Sequence, residues 1–208
     1  MGYFSLIRPR DDAPAKQASD WADELANKLK TAGHTLASDV DNLTPADRTN
    51  IENAISGTGT VIFYFGHGDE DKWRKVAQSL LDTTNIQKSR GKCVISIACK
   101  TGRNLGPDSI IAGAEAWLGF NIAVGVISPY KGFDPIGEAL VDALAEFGSN
   151  CSVQDVRDEV VSNLDKVAKD HDNGGSYANH HNAVLVYFTA VAMRDNVVAL
   201  GNNGYKPL

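Results

Sequence analysis

Two short apolar runs, each followed by a chemically reactive side chain, constrain the fold of this 208-residue chain more than any other feature. The first run covers residues 61–65 and is followed by His67, and the second covers residues 93–97 and is followed by Cys99. Short runs rich in Val, Ile and aromatic residues indicate strands buried on both faces of a parallel sheet. Because chemistry gathers at the carboxyl ends of parallel strands, we expect His67 and Cys99 to lie at one edge of the sheet.

Strand-like and helix-like segments alternate along the rest of the chain. Further predicted strands cover residues 3–7, 34–40, 122–127 and 184–192, with 197–200 as a hairpin partner of the last. Predicted helices cover residues 15–32, 44–57 (with Thr44 as N-cap and Pro45 in the first turn), 72–81, 109–118, 135–147 and 153–169. The polar segment 170–182 is predicted to be a loop. This alternation predicts one α/β domain over residues 1–208 with a mostly parallel sheet.

Composition excludes several classes of protein. The formal net charge of -6 gives no electrostatic basis for binding nucleic acid or an anionic membrane. No run approaches the roughly 18 apolar residues of a membrane span, and the first residues lack the pattern of a signal peptide. The three cysteines, Cys93, Cys99 and Cys151, are few and odd in number, which argues against a disulfide framework. We therefore expect a cytoplasmic protein with neither a nucleic-acid nor a membrane partner.

The chemistry that His67 and Cys99 offer together is thiol acyl transfer. A cysteine attacks a carbonyl as the thiolate, and an imidazole can accept the thiol proton and later return it to the leaving amine. The backbone N–H groups of Gly68 and Cys99 would form an oxyanion hole. The alternative is that His67 is an ordinary loop residue and Cys99 a small core residue. Cys93 has the parity of the inward-facing residues of its strand, so we expect it in the core.

The two blocks resemble the signature of the caspase-like cysteine peptidases. One block is an apolar run ending in His67-Gly68 and the other is a run ending in Ala98-Cys99, and the cysteine stands 32 positions after the histidine. The clan comprises caspases, metacaspases, legumains, gingipain-like enzymes and bacterial CHAT domains. Residues 97–102, followed by 114–119 as a helix and 124–126 as a strand, are most similar to the CHAT-type and short bacterial members.

The resemblance implies a three-layer α/β/α caspase-like fold with about six strands in a mostly parallel central sheet. It implies a cysteine endopeptidase that cleaves protein through a Cys-His dyad and a thioacyl-enzyme intermediate. Cys99 would be the nucleophile and His67 the general base, or the imidazolium of an ion pair. Gly68 and Cys99 would supply the oxyanion N–H groups, and no cofactor would be required.

The loop after the first strand carries four predicted substrate-binding residues, Arg8, Arg10, Asp11 and Asp12. Caspases place an arginine that binds the P1 side chain in this loop. Simple charge pairing allows either arginine to bind an acidic P1 side chain and either aspartate to bind a basic one. The alternative is a solvated loop of mixed charge with no role in binding.

Asp69, just after the His67 block, is the fifth predicted substrate-binding residue. It would orient His67, shape the mouth of the site or face solvent. Many trypsin-like members of the clan carry an acidic residue close before the cysteine to hold a basic P1 side chain, whereas this chain has Ile97 and Ala98. The P1 residue therefore stays open at this stage.

The remaining expectations concern partners. The histidines and aspartates of residues 170–181 have no standard zinc spacing, so no metal is predicted. The short loop 100–108 leaves no insertion to be cut between subunits, which favours activation by a protein or ligand over self-cleavage. A bacterial regulatory or defence protease acting on a protein or peptide substrate fits these features. The alternatives are a non-catalytic caspase-like interaction module and a flavodoxin-like signalling domain, although the latter lacks its phosphate-binding loop.

Overall fold

The computed structural model describes residues 1–41, 47–127 and 134–208. Its strands are β1 (Tyr3–Ile7), β2 (Thr35–Val40), β3 (Val61–Phe65), β4 (His67–Asp69), β5 (Lys72–Lys75), β6 (Gln78–Leu81), β7 (Cys93–Ile97), β8 (Ala116–Phe120) and β9 (Val197–Gly201). Its α-helices are α1 (Ala13–Thr31), α2 (Arg48–Ser56), α3 (Leu105–Ile111), α4 (Pro135–Ala145), α5 (Val153–His171) and α6 (Ala183–Asn196). Short 3-10 helices cover Ile86–Ser89 and Glu146–Ser149.

Six strands form the central sheet in the order β2-β1-β3-β7-β8-β9. All neighbouring pairs are parallel except β8 and β9, which run antiparallel. The prediction of a mostly parallel sheet of about six strands, flanked by helices, is therefore confirmed. A separate antiparallel sheet of β4, β5 and β6 adjoins the end of β3.

Two hydrophobic cores fill the spaces above and below the central sheet. Within β3, Val61, Phe63 and Phe65 pack into the core beside α1, α4, α5 and α6. Ile62 and Tyr64 pack into the opposite core, beside α2 and β6. All five residues of β3 are buried, as are all five of β7. Successive side chains of a strand face opposite sides, so strands covered on both faces are apolar at nearly every position.

Residues 72–81 form the β5–β6 hairpin and not the predicted helix. Trp73 is fully buried between the partly exposed Lys72 and Arg74, which is the two-residue period of a strand. Val76 at the turn has a positive φ of 51°. The buried ring of Trp73 stacks on Tyr64 with 4.1 Å between ring centroids, a contact that only the extended conformation provides here.

The predicted helix over residues 109–118 is wrong beyond Ile111. Helix α3 ends at Ile111, and Gly113 follows with a φ of 102°, a conformation that favours glycine. The chain then continues as β8, whose five residues are all buried. Because β8 takes the place beside β7, residues 122–127 form an irregular connection and not the predicted strand.

The predicted strand over residues 184–192 is also wrong, since this segment belongs to α6. Ala183, Val186, Ala190 and Met193 are buried at helical spacing, whereas Val184 is 70% exposed. Strand β9 pairs with β8 and does not form a hairpin with this segment.

The other predicted elements are present within a few residues of their expected limits. These are the strands over 3–7 and 34–40 and the helices over 15–32, 135–147 and 153–169. Helix α2 begins at Arg48, with Asp47 as its N-cap, and the predicted cap Thr44 and Pro45 lie outside the described residues. None of the described helices is long and apolar enough to cross a bilayer.

Candidate active site

His67 and Cys99 follow the ends of two adjacent parallel strands. Strands β3 and β7 are paired with Phe65 opposite Ile97, and the Gly66 N–H donates to the Ile97 carbonyl at 3.3 Å. The two chains therefore leave the sheet side by side. The side chains of His67 and Cys99 line one pocket of about 270 Å³ at this edge.

The imidazole of His67 is held by Asp12. Its Nε2 lies 2.8 Å from Asp12 Oδ2, while the other oxygen of the same carboxylate accepts the Ala15 N–H at 2.9 Å as the N-cap of α1. The Ala15 hydrogen bond, followed by the contact with His67, lowers the pKa of Asp12 and outweighs the slight desolvation of its exposed carboxylate. Because Nε2 is bound to a carboxylate, Nδ1 is the ring nitrogen left for proton exchange with substrate or thiol.

The backbone of His67 is fixed by a buried phenol. Tyr64 Oη donates to the His67 carbonyl at 2.7 Å and to the Arg74 carbonyl at 3.2 Å. Complete burial raises the pKa of Tyr64 well above its ordinary value, so the hydroxyl stays protonated and able to donate. One side chain thus joins the start of β4 to β5.

A chain of buried contacts links this hairpin to the cysteine loop. Trp73, stacked on Tyr64, donates its Nε1–H to Ser96 Oγ at 2.9 Å. Ser96 Oγ lies 2.9 Å from Thr101 Oγ1, which donates to the Ala98 carbonyl at 3.3 Å. The residues beside His67 and those beside Cys99 therefore belong to one polar network.

The turn around Cys99 leaves no room for a side chain at Gly68. A Cβ there would lie 2.6 Å from Thr101 Cγ2 and 3.0 Å from the Cys99 carbonyl oxygen. Lys100, the next residue, has a φ of 59°, an uncommon conformation for a residue other than glycine, and its N–H donates to the Ile122 carbonyl at 2.8 Å. The backbone of the predicted oxyanion hole is thus packed tightly against the cysteine turn.

The other two cysteines are in environments that disfavour the thiolate. Cys93 is fully buried in the core, as expected, and burial raises the pKa of its thiol. Partial burial and the nearby charge of Glu146 raise the pKa of Cys151. Neither residue lines the pocket beside His67.

Arg8 and Arg10, two of the predicted substrate-binding residues, form ion pairs and hydrogen bonds within the chain. Arg8 is only 6% exposed and forms ion pairs with Asp23 at 2.7 Å and Asp39 at 2.6 Å. Arg10 donates to Ser19 at 2.6 Å and pairs with Asp23 at 2.8 Å. Both guanidinium groups therefore fasten the loop after β1 to α1 and β2, and their binding of an acidic P1 side chain stays a prediction.

The acidic residues predicted to bind substrate also have partners within the chain. Asp11 Oδ2 accepts the Val76 N–H at 3.0 Å, and Asp12 binds His67. Asp69 Oδ2 lies 3.2 Å from Arg74 Nε, an ion pair whose geometry does not make a hydrogen bond. Asp12 thus contacts the predicted base directly, while Asp11 and Asp69 brace the hairpin that carries it.

Among the described residues, Asp11, Asp12 and His67 form the group whose ligand atoms could reach one metal ion, since these atoms lie within 4.8 Å of one another. A cation there would compete with the Asp12–His67 contact of 2.8 Å. We assign no metal to this group. The histidines and aspartates of residues 170–181 do not form such a group in the part of the chain that the structure describes.

Trp21 of α1 also lines the pocket that His67 and Cys99 share. The sequence did not indicate three of the site's features: the Asp12–His67 contact, the place of Trp21 in the pocket and the Tyr64–Trp73–Ser96 network. For Asp12, a signal was present, because an aspartate shortly before Pro14 is typical of a helix N-cap and thus of a fixed carboxylate. The other two depend on how α1 and the hairpin pack on the sheet.

Comparison with solved structures shows that this fold is the one found in cysteine proteases. The Arg-specific cysteine proteinase gingipain R superposes with a TM-score of 0.64 at 15% identity, over 98% of this chain and 46% of that chain. The complex of the pro- and mature domains of RgpB from Porphyromonas gingivalis gives 0.63 at 14% identity, over 99% and 48%. The separase–securin complex of Saccharomyces cerevisiae gives 0.58 at 13% identity, over 96% of this chain and 12% of that chain.

The chain thus has the fold of this caspase-like class of cysteine proteases. Within that class, the profile of Peptidase family C25 matches residues 11–169, and the chain belongs to this family. It spans about half the length of the gingipain chains that it matches. No curated protein sequence matches it.

Proposed function

We propose that this chain is a cysteine endopeptidase that cleaves a protein or peptide substrate with Cys99 as nucleophile and His67 as general base. The observation that carries the proposal is the shared pocket at the carboxyl edge of β3 and β7, which both side chains line. Membership of a cysteine peptidase family supports the same reaction type. The two other cysteines, with raised thiol pKa values, do not compete for the role.

The reaction begins when His67 takes the proton of the Cys99 thiol. The thiolate attacks the scissile carbonyl, and the oxyanion that forms accepts hydrogen bonds from the N–H groups of Gly68 and Cys99. The tetrahedral intermediate collapses, the C–N bond breaks and His67 protonates the departing amine. Water, deprotonated by His67, then hydrolyses the thioester and releases the second product.

Asp12 acts in this scheme as a positioning residue. Its carboxylate fixes the imidazole through Nε2 and stabilises the imidazolium that forms during both steps. The N-cap contact with α1 fixes the carboxylate in turn. The reaction requires no cofactor.

The biological setting that we propose rests on features of the sequence. We infer a bacterial regulatory or defence protease, related to CHAT-type and short caspase-like members, which works in a reducing cytoplasm as one domain over residues 1–208. The loop from Lys100 to α3 offers no long insertion for cleavage between subunits. Activation by a protein or ligand is therefore favoured over self-cleavage.

Cleavage of a denatured protein, with the cut sites mapped by mass spectrometry, tests the proposal. Cys99→Ala and His67→Ala should abolish cutting, while Cys151→Ser, which removes the other partly exposed thiol, should leave it intact. Cutting that persists in purified Cys99→Ala would refute the assignment. If the wild-type chain cuts nothing, with or without lysate from its host as a source of activator, the non-catalytic interaction module becomes the better description.

A further inference from the structure

The pocket that His67 and Cys99 share is walled almost entirely by apolar side chains. Residues from α1, from the end of β7 and from the connection after β8 supply these walls: Pro14, Ala18, Trp21, Ile97, Val124 and Val126. Among the described lining residues, His67 and Cys99 are the two whose side chains titrate. At about 270 Å³, the pocket lies just below the range of roughly 300–1,000 Å³ that accommodates drug-sized ligands. It is large enough for a single amino-acid side chain.

The carboxylates that contact Trp21 and His67 of this pocket already have hydrogen-bond partners. Asp134 Oδ2 accepts hydrogen bonds from Trp21 Nε1 at 2.8 Å and from Gln17 Nε2 at 2.6 Å, and Oδ1 accepts the Gly137 N–H at 2.9 Å. Asp12 is bound to His67 and to the start of α1. A basic side chain in the pocket would therefore meet no unoccupied carboxylate among the described lining residues, and burying its charge there would be costly.

Trp21 is held rigidly in the wall. Its indole is 5% exposed and is fixed by the hydrogen bond to Asp134. Helix α4 packs directly on it, since a Cβ at Gly137 would lie only 2.1 Å from Trp21 Nε1. The packing of α4 on α1 thus fixes Trp21 in the wall of the pocket. The wall therefore stays apolar when a ligand binds.

We infer that this pocket is the S1 subsite and that it receives an apolar P1 side chain of the size of Leu, Met or Phe. This inference rests on the proposed function, because it places the P1 side chain beside the nucleophile Cys99. It departs from the charged P1 residues that the loop after β1 first indicated. Arginine, lysine and aspartate are disfavoured because each would bring a charge against apolar walls with no counter-charge.

Peptidyl acyloxymethyl ketones that differ only at P1 provide the test, because they report on the pocket by alkylating Cys99 even if turnover is absent. The probes carry Leu, Phe, Lys, Arg or Asp, and mass spectrometry gives the rate of Cys99 modification. We expect the Leu or Phe probe to react about 100-fold faster than the charged ones, which is the scale on which an apolar pocket discriminates between side chains. Charged probes that react as fast or faster would overturn the inference.

Two variants at Ala18 test the pocket itself. Ala18→Asp should raise the rate with Lys and Arg probes relative to Leu, and Ala18→Leu, which fills the cavity, should shift the preference to Ala at P1. Labelling of Cys99 by iodoacetamide reports whether each variant retains its site. If neither variant alters the order of rates while that labelling is unchanged, the pocket is not S1.

The outcomes separate this inference from the proposed function. Preferential labelling by the Leu or Phe probe, together with no peptide cleavage under any condition, would refute the peptidase and keep the apolar subsite. Cleavage after Arg, Lys or Asp would support the peptidase and refute the apolar subsite. If no peptidyl probe reacts although iodoacetamide labels Cys99, the subsite is also refuted.

Discussion

The carboxylate of Asp12 contacts Nε2 of His67 at 2.8 Å and, through its second oxygen, caps helix α1 by accepting the Ala15 N–H at 2.9 Å. One side chain therefore joins the start of a 19-residue helix to the imidazole of His67, which follows β3. Helix N-termini favour negative charge, so the helix stabilises the ionised carboxylate that the imidazole needs. The position of His67 depends on α1 as well as on its own strand.

Asp12→Asn separates these two functions of Asp12. Asparagine is as good an N-cap as aspartate, so the free energy of unfolding at neutral pH should change little through the cap. The negative charge beside His67 is lost, however, and kcat/KM should fall by about 100-fold or more. Asp47→Asn is the matched control, because Asp47 caps α2 in the same way, accepting the Asn50 N–H at 2.9 Å, without contacting His67. Equal kcat/KM values in the two variants would contradict the role of Asp12.

Asp82 should make the fold sensitive to acid. Burial raises the pKa of Asp82, but hydrogen bonds from Ser79 and Thr84 and the charge of Arg48 outweigh it, so the net pKa is well below the ordinary value. A carboxyl with a lowered folded-state pKa stabilises the fold above its unfolded-state pKa of about 4 and loses that stabilisation as the pH falls through the folded value. Asp82→Asn should therefore lower the free energy of unfolding by about 2 kcal/mol at pH 7.

Urea unfolding at several pH values measures this difference. The gap between wild type and Asp82→Asn should be constant from about pH 5 upward and narrow as the pH falls below about 4. A gap that stays constant down to pH 2 would show that Asp82 does not stabilise the fold through its ionised carboxylate.

The sequence was sufficient for the strands that are buried on both faces. In β3 and β7 nearly every residue is apolar, and a run this short between turn residues is the length of a strand rather than of a helix. The same kind of evidence gave a wrong prediction for α6. A continuous apolar run occurs both in a buried strand and in a helix whose exposed face is also apolar. Val184, Leu185 and Phe188 lie on that exposed face. Nothing in their identity separates the two conformations.

The β5–β6 hairpin shows how a tertiary contact can decide between helical and strand spacing of the apolar residues. Trp73, Val76, Leu80 and Leu81 are spaced as on one face of a helix, so the helical prediction for residues 72–81 was consistent with the sequence. The stacking of Trp73 on Tyr64 and its hydrogen bond to Ser96 favour the strand instead.

The two apolar runs located His67 and Cys99 at one edge of the sheet. Asp12 and Trp21, in contrast, join the site through the packing of α1, which local sequence does not encode.

Alkylation should distinguish Cys99 from the other cysteines. At neutral pH, iodoacetamide should modify Cys99 first, because burial raises the pKa of Cys93 and burial with the charge of Glu146 raises that of Cys151. His67→Ala should slow the modification of Cys99 by about 10-fold or more, since the base that favours the thiolate is gone. Peptide mass spectrometry over time gives the three rates. Similar rates at all three thiols, unaffected by His67→Ala, would indicate that no thiolate is poised.

Gly68→Ala should damage the site through packing alone. The new Cβ would lie 2.6 Å from Thr101 Cγ2 and 3.0 Å from the Cys99 carbonyl oxygen, so the β4 backbone must move away from the cysteine turn. If the Gly68 N–H stabilises the oxyanion, kcat should fall by about 100-fold. Gly204→Ala is the control, because the atom nearest to a Cβ there would be Asn202 Oδ1 at 3.7 Å, an ordinary contact distance that causes no strain. An active Gly68→Ala variant would argue against the proposed oxyanion hole.

Ser96→Ala should weaken the connection between the histidine hairpin and the cysteine loop. Removing the hydroxyl leaves the buried Nε1–H of Trp73 without its acceptor at 2.9 Å, which costs about 1–3 kcal/mol of unfolding free energy. Because the network ends at the Ala98 carbonyl beside Cys99, kcat should fall more than KM rises. Trp73→Phe in the Ser96→Ala background removes the orphaned donor and should recover part of the stability, which urea unfolding measures. Additive losses in the double variant would show that Trp73 and Ser96 do not act as a coupled pair.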